Sequence, residues 1–116
     1  MRAHGAGGVA ALREKDLQRH VRAYAERLGW SVYVCWTSIH SPRGWPDLTL
    51  YRARADGTGE LVCIELKTER GKVSGPQQAW LYRLGTVPGV RWAGVCRPSD
   101  WFAGKLDEVL RCCDGD

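Results

Sequence analysis

A chain of 116 residues, 44% hydrophobic and 26% charged, has the composition of an ordinary soluble globular protein; it can build one core and excludes a second domain. Its formal charge of +4, from 17 Lys+Arg against 13 Asp+Glu, is a mild basic bias that suits a nucleic-acid partner without requiring one. No apolar run is long enough to span a bilayer, and Met1-Arg2-Ala3-His4-Gly5 lacks the apolar segment of a signal peptide, so no membrane partner is expected and the cytoplasm is the expected location.

Residues 1–10 are rich in Gly and Ala and carry no pattern, which predicts a flexible arm ahead of a single domain over 11–111 and a short tail at 112–116. From Ala11 to Leu28 the spacing predicts a helix, with Leu17, Val21, Ala25 and Leu28 on one stripe and Gly29 as its stop. On the same wheel Glu14 and Gln18 sit beside the stripe. Glu14 is thus either aimed at the edge of a sheet or is simply a first-turn acid favoured by the helix dipole. Trp30 to Ser38 reads as a strand, apolar on both faces. Ile39 to Pro46 is a loop carrying His40, Arg43 and Trp45, open to two readings, an ordinary turn or a nucleic-acid contact.

The next two runs matter most. Leu48 to Tyr51 reads as a strand, Asp56-Gly57-Thr58-Gly59 as a turn and Leu61 to Leu66 as a second strand, so the pair predicts a hairpin. Because strand side chains alternate, Glu65 and Lys67 share one face, Val62, Ile64 and Leu66 the other, and Asp47 comes level with the first pair. Beyond a charged turn over Thr68 to Lys72, Ser74-Gly75-Pro76-Gln77 has the form of a capping box. It opens a helix with Trp80, Leu81 and Leu84 inward, ending near Gly85. Val90 to Arg97 is the last expected strand. Ser99 or Asp100 is expected to cap a final helix with the stripe Phe102, Leu106, Val109 and Leu110, weakened by Gly104. The order α-β-β-β-α-β-α predicts an α/β fold with a mixed central sheet flanked by helices.

Two carboxylates and a lysine at one end of a sheet serve no need of the fold, whereas a metal-dependent phosphodiesterase needs them. Asp47, Glu65 and the Leu66 backbone carbonyl are hard oxygen donors suited to Mg²⁺ or Mn²⁺. Two carboxylates about 4 Å apart repel by about 4 kcal/mol at an effective dielectric near 20, which a divalent cation relieves. Lys67 would orient the attacking water or offset the charge developing on phosphorus, and Glu14 would join through a metal-bound water or a second ion. A zinc hydrolase built on His20 or His40 with Cys35 is the rival enzyme, but no second His lies at ligand spacing. The five cysteines, Cys112 and Cys113 included, show no zinc spacing and read as reduced thiols, with Cys35, Cys63 and Cys96 inside apolar runs.

Five stretches in order, Glu14-Lys15-Asp16-Leu17-Gln18, Gly44-Trp45-Pro46-Asp47-Leu48, Glu65-Leu66-Lys67-Thr68-Glu69, Val73 through Gln77 to Trp80-Leu81, and Arg97-Pro98-Ser99-Asp100, resemble the VRR-NUC domain of the PD-(D/E)xK nuclease superfamily. The resemblance implies a restriction-endonuclease-like core and a Mg²⁺- or Mn²⁺-dependent endodeoxyribonuclease of phage or bacterial replication and repair. It implies catalytic roles for Glu14, Asp47, Glu65, Lys67 and Gln77, and metal ligation by Asp47, Glu65, the Leu66 carbonyl and, through water, Glu14. Gln18, Arg43, Arg70, Lys72 and Gln78 are the expected DNA contacts, with Arg52 and Arg54 as further loop cations. The family spacing favours Gln77, while Gln78-x-x-x-Tyr82 imitates a motif of related nucleases. Small members resemble junction-resolving enzymes, which implies a homodimer acting on branched DNA or a Holliday junction. A monomeric nicking nuclease, or a silent DNA-binding subunit of the same fold, is the alternative.

Overall fold

The first helix exists because Leu17, Val21 and Ala25, spaced by four, are all fully buried against the sheet. The computed structural model describes residues 12–35 and 41–111. The expected arm, the tail with Cys112 and Cys113, the last part of the expected first strand from Trp36 to Ser38, and His40 lie outside the described residues. Helix α1 runs Glu14–Arg27, beginning at Glu14 and not at Ala11 because Arg13 is extended, and Glu14 and Asp16 place two acids in the first turn, where the dipole favours them. Gly29 follows with φ 94°, a left-handed conformation that glycine adopts without strain, and turns the chain into β1 (Ser31–Val34).

Strands β2 (Leu48–Ala53) and β3 (Gly59–Leu66) form the expected hairpin, joined by a turn in which Asp56 Oδ1 accepts from the Thr58 amide and hydroxyl. Helix α2 (Gly75–Gly85) then crosses over to β4 (Val90–Cys96). The sheet order is β1-β2-β3-β4, antiparallel for the first two pairs and parallel for the third. It is a mixed α/β fold, as the element order predicted.

One face of the sheet carries the core. Leu48, Leu50, Val62, Ile64, Leu66 and Cys96 meet Leu17, Val21, Ala25, Leu106 and Leu110 there, and all are buried. Trp30 Nε1 donates to the Leu110 carbonyl at 3.0 Å, and the Tyr24 hydroxyl donates to Asp107, so α1 is tied to the last helix. The expected single final helix is in fact two, α3 (Pro98–Phe102) and α4 (Lys105–Leu110), broken at Gly104 with φ 81°. The break rotates Phe102 out of its stripe, leaving it 58% exposed while Leu106 and Leu110 stay buried. Neither Ser99 nor Asp100 is the cap: Arg97 is, and Asp100, three residues in, accepts from the Arg97 amide at 2.9 Å.

The other face is only half covered. Helix α2 packs chiefly on β4 and β3, and Trp80, Leu81 and Leu84 are half-buried, so they line a partial cover and not a second core. Strand β1 is correspondingly not apolar on both faces. Val32 and Val34 pack on the core, whereas Ser31 and Tyr33 are exposed. No helix among the described residues is long and apolar enough to cross a membrane.

Candidate active site

The hairpin register brings the acids together. Leu48 pairs with Ile64, so Asp47, one step earlier, stands across from Glu65. The Cys35 amide donates to the Asp47 carbonyl at 2.8 Å and the Lys67 amide to the Cys96 carbonyl at 3.1 Å, which continues the ladders past the strand ends and keeps Asp47 and Lys67 extended. Asp47 Oδ2 accepts from the Leu66 amide at 2.8 Å, a bond that fixes one carboxylate oxygen. The sequence reading named the carbonyl of Leu66 and missed this N–H, since no residue pattern marks a backbone donor.

Glu65 is the least exposed member of the group, at 3%. Its Oε2 accepts from Gln77 Nε2 at 2.9 Å and lies 3.9 Å from Lys67 Nζ. Its Oε1 is buried and, while the carboxylate is ionised, accepts from no donor. Burial, then the charge of Asp47 and the hydrogen bond that a protonated Glu65 shares with it, push the Glu65 carboxyl up to about 8, with Lys67 opposing and Glu14 adding to the rise. Glu14 is exposed along most of its length, but the protein around its carboxyl, and then Asp47, raise it above the ordinary range, again against Lys67. Glu14, Asp47, Glu65 and Lys67 thus feel one another's charges at one end of the sheet.

Gln77 is positioned from two sides. Its Oε1 accepts from the Ser74 amide at 2.8 Å while its own amide donates to Ser74 Oγ at 3.2 Å, the reciprocal capping box expected from the sequence. With Oε1 so committed, the NH₂ end is the end turned to Glu65. Gln78, the other candidate, is exposed. Gly44 holds the preceding loop against this helix start. Its φ is 89°, and a Cβ there would lie 2.5 Å from the Pro76 carbonyl carbon and 2.8 Å from the Gln77 nitrogen. Trp45 packs edge-on to Trp80 at 5.0 Å beside it.

On the opposite flank Arg97 Nη1 donates to the carbonyls of Thr68, Glu69 and Gly71 at 2.8, 3.2 and 2.7 Å, and Glu69 Oε1 accepts from the Ser99 amide at 3.0 Å. These bonds set the loop that follows Lys67. Arg97 belonged to a stretch already singled out, yet its task is structural.

Arg43, Arg70 and Lys72 are exposed, form no ion pair among the described residues, and sit in the loops that flank Asp47 and Lys67. Gln18 lies one turn beyond Glu14, half-buried, in a shallow groove with Lys15, Arg19 and Arg22. Arg52 and Arg54 are elsewhere. At the far end of the hairpin they pair with Glu60 at 3.1 and 3.3 Å, joined by Arg91 at 3.1 Å, and Arg52 also lies over the Trp30 ring. Against the cost of burial, the Arg52 and Arg91 guanidiniums hold Glu60 below the ordinary carboxylate range. This network closes the end of the sheet remote from Asp47.

The donor set suits a hard divalent cation. Among the described residues no three His, Cys, Asp or Glu side chains form a ready metal cage. Direct protein ligands would therefore be the free oxygens of Asp47 and Glu65, with the Leu66 carbonyl, and Glu14 would act through water. The unpartnered Glu65 Oε1 is the observation that fits, because a buried carboxylate oxygen with nothing to accept from is costly until a cation or proton meets it. Of the zinc candidates among the described residues, His20 stacks on Trp101, Cys35 Sγ lies 3.2 Å from Ser41 Oγ, and burial raises the Cys63 thiol and pushes Cys96 up to about 12.

No family model matches the chain, and neither a curated protein nor a solved structure does.

Proposed function

We propose that the chain is a metal-dependent DNA endonuclease with a PD-(D/E)xK-type core, hydrolysing phosphodiester bonds at Asp47, Glu65 and Lys67. One observation carries the reading: a carboxylate 3% exposed, with one oxygen orphaned, faces a second carboxylate and a lysine at the open end of two paired strands. Structural ion pairs satisfy both carboxylate oxygens, as Glu60 does in the same strand. Glu65 leaves one unsatisfied, and that is the behaviour of a ligand.

When bound, Mg²⁺ or Mn²⁺ supplies Lewis-acid polarisation of the phosphate and a more acidic attacking water. The chain's own residues do the rest. The Leu66 amide orients Asp47 so that one oxygen stays free, and Gln77 holds Glu65 in a single rotamer. Lys67 places an ammonium where negative charge grows on the phosphoryl oxygens. Glu14 hydrogen-bonds water at the rim. Arg43, Arg70 and Lys72 take flanking phosphates without reading bases. Each chain offers one such set, so nicking both strands of a branched DNA would take two chains in a two-fold dimer.

The test is incubation of the purified chain with four-way-junction and linear duplex DNA under different metals, with light scattering on the same sample. Cutting with Mg²⁺ or Mn²⁺, none with chelator, binding with little cutting in Ca²⁺, a two-chain mass and a junction preference are expected. Cutting that survives exhaustive chelation would end the metal mechanism, and a monomer that cuts both substrates equally would remove the junction reading alone.

A further inference from the structure

Beside the acids lies a hollow to which the proposed chemistry assigns no task. It is an open depression of about 500 Å³ lined by Tyr33, Ser41, Pro42, Trp45 and Thr49. Its place follows from the register. Thr49 is two residues beyond Asp47 on the same face of an extended chain, about 6.7 Å away by strand geometry. Tyr33 pairs directly with Thr49 across the β1/β2 ladder and is 56% exposed, a large aromatic ring held at an edge strand. Trp45 is two residues before Asp47, its ring orientation fixed by the edge contact with Trp80.

Two features together select an occupant. The lining is dominated by an exposed tyrosine and a braced tryptophan, flat faces that suit a flat ring. Thr49 closes the floor of the hollow, its own hydroxyl buried beneath the surface. Arg43, exposed and without an ion pair among the described residues, extends from the loop that supplies Ser41, Pro42 and Trp45. A flat ring attached to an anion answers the aromatic faces and the guanidinium together. An apolar protein segment would leave the guanidinium unanswered.

We propose that this hollow receives the base of one unpaired nucleotide adjoining the scissile phosphate, stacked between Tyr33 and Trp45, with Arg43 on its phosphate. The inference rests on the nuclease reading for the position of that phosphate. The offset from Asp47 to Thr49 is on the order of one nucleotide, so a phosphate at the acids and a base in the hollow belong to neighbouring positions of one strand. In a duplex the base is stacked on its neighbours and unavailable, so the hollow selects forks, flaps and branch points over straight DNA. Stacking reads no base edge, which makes the selection one of structure and not of sequence.

The test uses the whole chain in chelator, so that binding is read without cutting. 2-Aminopurine flanked by thymines is placed as the first unpaired nucleotide of a forked DNA, or at the same position in a full duplex. The expected result is a marked loss of 2-aminopurine fluorescence on the fork alone, and about tenfold weaker fork binding by Tyr33→Ala, in the range that loss of one base stack produces. Tyr33→Phe, which keeps the ring, is expected to bind the fork like wild type, and an unchanged far-UV circular dichroism spectrum of Tyr33→Ala guards against an unfolding artefact. Unchanged fluorescence at saturation, or equal affinity of wild type and Tyr33→Ala for the fork, overturns the proposal. A parallel assay in Mg²⁺ separates the two readings: cutting without quenching removes the hollow and leaves the nuclease, and quenching without cutting in any metal does the reverse.

Discussion

At the scale of single residues, Glu65 is held where a carboxylate is uncomfortable. Its neighbours satisfy one oxygen and strand the other, and burial followed by the Asp47 charge lifts its proton affinity to about 8. The sign of the consequence is fixed by linkage. Between its ordinary 4.5 and about 8 the unfolded chain has lost this proton while the folded chain keeps it, so the contribution to stability is full below about 4.5 and is lost as pH rises through about 8. Glu65→Gln removes that dependence. In urea titrations without metal, wild type is expected to lose stability relative to Glu65→Gln from about pH 5 to about pH 8.5, and the variant to be at least as stable at the upper end. Parallel pH profiles would show that the burial of Glu65 costs nothing. The identity of this residue was legible from Glu65-Leu66-Lys67 after an apolar run. Its orphaned oxygen was not, because that depends on how few donors two loops and a helix happen to bring.

The elements show the same division. The cap of α2 was readable from Ser74 and Gln77, since a capping box is a local device with its own spacing. That Gln77 spends its other end on Glu65 was not readable, because it depends on where α2 lies against β3. The two roles separate by substitution. Ser74→Ala removes only the cap and is expected to cost about 1 kcal/mol of stability, a typical capping loss. Gln77→Ala removes the side-chain half of the capping box and the Glu65 contact while its amide still meets Ser74 Oγ, so it should cost no more than Ser74→Ala in denaturation and fall well below it in Mg²⁺-dependent cleavage. Equal cleavage by the two variants would reduce Gln77 to a cap. The last helix was misread for a related reason: one glycine inside an apolar stripe costs a helix only about 1 kcal/mol, but at Gly104 the chain takes a left-handed turn that seats Leu106 and Leu110 in the core and expels Phe102.

For the molecule as a whole, the two ends of the sheet differ in how their charges are spent. At one end Arg52, Arg54 and Arg91 converge on Glu60 and are held by it; at the other Arg43, Arg70 and Lys72 stand exposed around the acids. Composition predicted a basic bias but could not sort these cations, because Arg52 and Arg70 look alike until the hairpin places them at opposite ends. Duplex binding should therefore weaken linearly in log salt, and Arg43→Ala, Arg70→Ala and Lys72→Ala should each reduce the slope by about 1 while Arg54→Ala leaves it unchanged. A slope that responds to Arg54 and not to Arg70 would put the DNA at the wrong end. The central claim, that Asp47, Glu65 and Lys67 cut phosphodiester bonds with a divalent cation, is tested most directly by single-turnover cleavage of branched DNA in Mg²⁺ by wild type and Asp47→Asn. Far-UV circular dichroism and DNA affinity are measured on both proteins. The account predicts rapid cutting by wild type and a loss of at least about a thousandfold in Asp47→Asn, on the scale of removing about 4 kcal/mol of transition-state stabilisation, with fold and affinity unchanged. Cutting by Asp47→Asn at near the wild-type rate, or no cutting by a well-folded wild type in either Mg²⁺ or Mn²⁺, would contradict it.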